Sequence, residues 1–185
     1  MDHVPERAVH WLSSAIAIER EKETLKAHAA IPDYKCSELR KEQWLPLPVE
    51  KVFSFFSDEK NLELLTPPWL HFHVVGKSTP ELAEGTLIDY RLRVRGIPLR
   101  WQSRIEEWRP NERFVDTQVR GPYAYWHHTH LFQELNGGTQ IIDIVRYRVP
   151  GGVLGRWFIL PFVKRDIEKI FEYRRQIISS RFTSK

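Results

Sequence analysis

A single cysteine, Cys36, and a single methionine stand among the 185 residues. One cysteine excludes an internal disulfide and any cysteine-rich metal knot, and it fits a reducing cytoplasm. No apolar run approaches the roughly 20 residues with which a helix crosses a bilayer. The longest, Val153 to Val163, is interrupted by Arg156 and Pro161. The first residues carry Asp2, Glu6 and Arg7 and lack a basic stretch leading into an apolar one, so no secretory leader is expected. Internal repeats and low-complexity tracts are absent, as are phosphate loops, nucleophile motifs and zinc-protease helices. Charge of one sign is scarce too. The 28 basic and 24 acidic residues leave a net +4, with the basic ones mostly scattered, which argues against a nucleic-acid partner.

What is present reads as one domain with a short appendage. Residues 1–34 form the appendage: Val9, Leu12 and Ile16 share one helical face, the charged run Glu19–Lys26 continues it, and Pro32 ends it. From residue 35 the pattern changes. Residues 35–45 suit a first strand. Pro48 suits the first turn of a helix whose stripe is Val49, Val52, Phe53 and Phe56. Asp58 is positioned to cap a second short helix, which Pro67 and Pro68 must stop.

The period then switches from helical to two. "LHFHVVG" and "GTLIDYRLRVRG" read as strands, the second with Ile88, Tyr90, Leu92 and Val94 on one face. A turn at Gly96–Pro98 leads into "LRWQSRIEEW", and "RFVDTQVRG", "YAYWHHTHLFQE" and "TQIIDIVRYRVP" follow as further strands. Asn136–Gly137–Gly138 is a hairpin signal. After Gly151–Gly152 comes a helical segment to about Phe182, with Ile167, Ile170, Phe171, Arg174, Ile177 and Ile178 at helical spacing and a kink or break expected at Pro161. Segregated strands and helices predict an α+β fold.

The runs "QWLPLPVEKVFSFFSDEKNLELLTPPWLHFHV", "GTLIDYRLRVRGIPLRWQSRI", "RFVDTQVRGPYAYWHHTHLF" and "GGTQIIDIVRYRVP" resemble the START-like, or SRPBCC, superfamily. More narrowly they are similar to its bacterial polyketide-cyclase/dehydrase-like and coenzyme-Q-binding-like branch. The resemblance covers residues 35–182. It implies a helix-grip fold, a seven-stranded antiparallel sheet wrapped around a long C-terminal helix with an internal cavity. The superfamily shares no single catalytic set, so none is carried over.

Side-chain alternation sorts the wall of such a cavity. Tyr90 and Trp101 lie on apolar faces. Trp126 and Phe132 turn His128 and His130 inward, and Arg146 and Arg148, expected in water, turn Asp143, Val145 and Tyr147 inward. Hydropathy leaves the fifth strand ambiguous. The set Phe114, Asp116 and Gln118 is chosen because Asp116 then meets the buried histidines, and a buried carboxylate needs a partner. The expected ligand-binding residues are therefore Tyr90, Trp101, Asp116, Gln118, Trp126, His128, His130, Asp143 and Tyr147.

A metal bound by His128, His130 and Asp143 is the sharper alternative, set aside in favour of hydrogen-bonded cavity histidines; no metal and no cofactor are expected. Asp116 with His128 is the candidate pair for proton transfer. Arg91, Arg93, Arg95, Arg100 and Arg104 read as a solvated outer sheet face with Glu106 and Glu107 interspersed. The segment around Trp157, Phe158 and Phe162 reads as closing the core, with transient membrane contact as its alternative. The expected function is binding of a hydrophobic small molecule: a lipid, an isoprenoid quinone or a polyketide-like compound. The rivals are a cyclase/dehydratase-type enzyme using Asp116 and His128, and a partner-binding module with a filled interior and no ligand.

Overall fold

The computed structural model describes residues 36–182. The expected N-terminal helix lies outside them. Seven strands form one antiparallel sheet in the order β1-β7-β6-β5-β4-β3-β2. They are β1 (Ser37–Leu45), β2 (His73–Lys77), β3 (Leu87–Val94), β4 (Ile97–Arg109), β5 (Arg113–Arg120), β6 (Tyr125–Leu135) and β7 (Gly138–Arg148). Between β1 and β2 run α1 (Val49–Phe56), α2 (Lys60–Leu65) and one 3₁₀ turn, Pro68–Leu70. After β7 come α3 (Gly152–Phe158) and the long α4 (Leu160–Phe182). This is the expected α+β helix-grip architecture.

Local chemistry explains the joints. The β6–β7 hairpin turns through Asn136 and Gly137, both with positive φ, the two-residue geometry that matches strand twist. The β3–β4 turn is tighter than the expected Gly96–Pro98. Arg95 and Gly96 both take positive φ, so Ile97 already pairs with Val94 in the ladder. Asp58 does serve α2, its carboxylate accepting the Lys60 N–H at 3.0 Å. The C-terminal segment breaks at Ile159, between α3 and α4, and Pro161 occupies the first turn of α4, where its missing N–H costs nothing.

The α1 stripe packs as read. Val49, Val52, Phe53 and Phe56 are all buried. The Phe53 ring meets Trp108 at 5.4 Å, Phe132 at 5.3 Å and Phe114 at 6.0 Å, all edge-on. One expected outer charge is not solvated. A bulge in β4 between Ile105 and Glu107 pairs Glu107 with Val115 on the outer face, where it is buried with Arg113 Nε donating at 2.9 Å and Arg109 Nε at 2.7 Å.

Candidate functional site

The inner face of the sheet curves around α4 and leaves a cavity of about 310 Å³. Alternation along the strands decides its lining: β3 gives Ile88, Tyr90 and Leu92, β4 gives Trp101, Ser103 and Ile105, and β6 gives Trp126, His128 and His130. Helix α4 closes it with Ile167, Ile170, Phe171 and Arg174. At one end Trp101 meets Trp126 edge-on at 5.2 Å and Tyr123 at 5.5 Å. Val94, Leu99, Val149, Ile159 and Val163 also line the cavity, so it reaches the β3–β4 tip and the start of α4. There Arg95 forks onto Asp166, its Nε and Nη2 donating at 3.0 and 3.1 Å, while its guanidinium lies 5.1 Å from the Phe162 ring.

The polar wall is built by strand register. Asp116 of β5 pairs across to His128 of β6, and His130 of β6 pairs across to Asp143 of β7. Asp116 Oδ2 lies 3.5 Å from both His128 Nδ1 and His130 Nε2. The far nitrogens face Asp143. His128 Nε2 is hydrogen-bonded to Asp143 Oδ1 at 3.0 Å, and His130 Nδ1 lies 2.8 Å from the same oxygen but outside hydrogen-bonding alignment. The two imidazoles are 3.8 Å apart between centroids, and Phe114 stacks on His130 at 4.1 Å. Arg174 reaches in from α4, its Nη1 3.7 Å from Asp143 Oδ1 and its guanidinium 5.0 Å from the Phe171 ring. Arg174 Nε and Nη1 are buried without a hydrogen-bond partner among the described residues.

Electrostatics separates the four titratable groups. Burial opposes ionisation of Asp116, but the contact with His130 and the charges of His128, His130 and Arg174 outweigh it and lower its pKa. The same contest at Asp143, won by the two histidines, holds that carboxyl well below the usual range. Burial, reinforced by neighbouring His130, pushes His128 down to about 4, so its neutral form is favoured. Burial also works against a charged His130, but Asp143 and Asp116 prevail and raise it. The wall thus holds two carboxylates against Arg174 and an imidazole that favours its charge. Burial pushes the Tyr90 and Tyr123 phenols up, so both stay neutral.

Of the residues expected in the wall, Tyr90, Trp101, Asp116, Trp126, His128 and His130 line the cavity. Three do not. Gln118 points inward, but its amide is engaged by the β5–β6 loop, with Nε2 donating to the Tyr123 carbonyl at 2.8 Å and Oε1 accepting the Tyr123 N–H at 3.2 Å. Asp143 lies behind the histidines, and Tyr147 is packed into the core with Val145, Ile167 and Phe171. Asp143 therefore stands behind both imidazoles, hydrogen-bonded to His128, and the one carboxylate of the cluster on the cavity side is Asp116. Arg174 was missed as a site residue, although its place in an otherwise apolar helical stripe was a signal.

Sheet, grip helix and cavity define a protein of the START-like, or SRPBCC, class. Residues 45–172 match the family described as "Polyketide cyclase / dehydrase and lipid transport", and the chain belongs to that family. No curated protein matches the chain. Among solved structures, it resembles CV1439 from Chromobacterium violaceum, with 18% identity, coverage of 80% of this chain and 99% of that one, and a TM-score of 0.60. A START superfamily protein from Mycobacterium smegmatis gives 14% identity, 79% and 97% coverage and a TM-score of 0.58. Major latex-like protein 151 from Panax ginseng gives 8% identity, 80% and 99% coverage and a TM-score of 0.57. At these identities the likeness is one of fold. No helix among the described residues is long and apolar enough to cross a membrane.

Proposed function

We propose that this protein binds a hydrophobic small molecule in the cavity, a lipid, isoprenoid quinone or polyketide-like compound bearing one oxygen-rich end. The observation that carries the reading is the buried Arg174 guanidinium at the wall of an apolar space, with Nε and Nη1 making no hydrogen bond among the described residues and Nη1 only an ion pair to Asp143 at 3.7 Å. Leaving such donors unpaired is costly, and an oxygen of a bound molecule would satisfy them. Tyr90, Trp101 and Trp126 would contact the apolar body, while Arg174, Asp116, His128 and His130 would orient the polar end. A space of about 310 Å³ falls at the small end of ligand sites, which run from roughly 300 to 1,000 Å³.

Transient contact with a membrane surface supplies a route for such a ligand. The expectation that Trp157 and Phe158 close the core does not hold: they are 75% and 70% exposed. Val153 and Leu154 on the same short helix are 74% and 70% exposed, and the adjoining Arg156, Lys164 and Arg165 are exposed cations suited to anionic headgroups.

The test is mass spectrometry of small molecules extracted from the gently purified full chain, followed by displacement of a lipophilic dye. A stoichiometric apolar compound, and dye affinity weakened by Arg174→Ala, are expected. An empty protein that binds no dye would refute the reading. One observation favours the enzyme alternative: His128 favours its neutral form and faces Asp116 at 3.5 Å, a geometry suited to moving a proton. If the extracted compound is turned over, and His128→Ala abolishes turnover while dye binding remains, that alternative replaces simple carriage.

A further inference from the structure

We propose that Asp116, His128 and His130 form a binding site for one divalent transition-metal ion, held from behind by Asp143 and open toward the cavity. The inference stands whether or not the cavity carries a hydrophobic ligand.

Each of the three residues offers one donor atom, and the three atoms lie within 4.8 Å of one another. Asp116 Oδ2 is 3.5 Å from each imidazole nitrogen. Around a tetrahedral ion with bonds of about 2.0–2.1 Å, neighbouring donors stand roughly 3.3–3.5 Å apart, so two of the three separations already have metal-site dimensions. The two histidines are two residues apart on β6 and share its inner face, and Asp116 is the cross-strand partner of His128. A rigid ladder therefore sets the spacing.

The arrangement behind the donors points the same way. Asp143 Oδ1 faces the opposite nitrogen of both rings, His128 Nε2 at 3.0 Å and His130 Nδ1 at 2.8 Å. A carboxylate on the far nitrogen of a ligating imidazole fixes its tautomer and aims its lone pair at the ion. Asp143 does this for His128 through a hydrogen bond and stands 2.8 Å from His130 Nδ1 without one. Phe114, stacked on His130 at 4.1 Å, and Phe171, 5.5 Å from His128, restrict ring rotation. The two carboxylates offset the charge of a divalent ion, with Arg174, 3.7 Å from Asp143, as the remaining cation.

Two imidazoles and one carboxylate make a borderline donor set. It suits Zn²⁺, Fe²⁺, Co²⁺ or Mn²⁺ better than Ca²⁺ or Mg²⁺, which prefer all-oxygen shells, or Cu⁺, which prefers sulfur. All three residues line the cavity, so the remaining coordination positions face it and would take water or an oxygen donor of a cavity occupant.

The test uses the full chain, stripped with a chelator, dialysed, and titrated in the absence of lipid with Co²⁺ by visible absorption and with Zn²⁺ by calorimetry. One ion per chain is expected, with an intense Co²⁺ ligand-field band and a Zn²⁺-dependent rise in Tm. Asp116→Asn, which preserves shape, and His130→Gln should each remove the band and the Tm rise. Asp143→Asn should keep the band but weaken affinity by about 10–100-fold. His73→Ala, at an exposed histidine, should change nothing. Wild-type protein with neither band nor stoichiometric heat would overturn the proposal. So would binding that survives in Asp116→Asn, even if His130→Gln failed to fold.

Discussion

Gln118 and Gly121 provide a quantitative check on how the cavity's end is held. The Gln118 amide makes two hydrogen bonds to the Tyr123 backbone, at 2.8 and 3.2 Å. At about 1 kcal/mol net for each neutral bond, Gln118→Ala should cost about 2 kcal/mol, or roughly 4–8 °C in Tm for a chain of this size. A Cβ at Gly121 would stand 2.2 Å from Gln118 Oε1 and 2.5 Å from its Cδ, so Gly121→Ala must displace the same amide. Its cost should therefore be similar, less the roughly 0.5 kcal/mol that Ala recovers by stiffening the unfolded chain. Because both changes act through one side chain, the double variant should cost about what Gln118→Ala costs alone. In that background Gly121→Ala should be neutral or slightly stabilising. Urea denaturation of the four proteins closes the cycle. Additive costs, about 3.5 kcal/mol for the double variant, would refute the claim that Gly121 is required to make room for the Gln118 amide.

Phe53→Ala removes the ring on which Trp108, Phe114 and Phe132 converge and should cost about 3–5 kcal/mol by denaturant titration, with a loss under 1 kcal/mol counting against this core. Leu92→Trp places an indole into the cavity wall and should lower lipophilic-dye affinity about tenfold or more while changing stability by less than about 2 kcal/mol; undiminished dye binding would mean the probe sits elsewhere. Replacing both Trp157 and Phe158 by Ser should leave Tm nearly unchanged, since both are exposed, but reduce partition to anionic vesicles by about tenfold or more in a flotation assay, and equal partition would dismiss α3 as the contact.

The fold was legible where one physical signal dominated. The α1 stripe, the alternation of β3 and the Asn136–Gly137 turn needed no tertiary information. The face of β5 was different, because Phe114 and Val115 are both buried and hydropathy cannot choose between them. The demand of Asp116 for a partner chose correctly. The site was legible only as far as strand faces reach. Alternation puts Gln118, Asp143 and Tyr147 on the inner side, but not at the cavity surface. A loop backbone takes up the Gln118 amide, the two imidazoles stand in front of Asp143, and the Tyr147 ring is consumed by core packing. Arg174 stayed hidden because an arginine in an apolar helical stripe usually ends in solvent, and only the packed position of α4 shows that this one ends inside. The exposure of Trp157 and Phe158 follows from the break at Ile159, which frees α3 from the line of α4.

The fork from Arg95 to Asp166 ties the tip of one hairpin to the rod that the sheet surrounds. Its partners are 56% and 34% exposed, so water and salt weaken it to the scale of thermal energy, about 0.2–1 kcal/mol. A clasp of that strength holds the β3–β4 tip to α4 without locking it. Motion of that tip would then be governed by how quickly an arginine lets go rather than by any unfolding of the sheet.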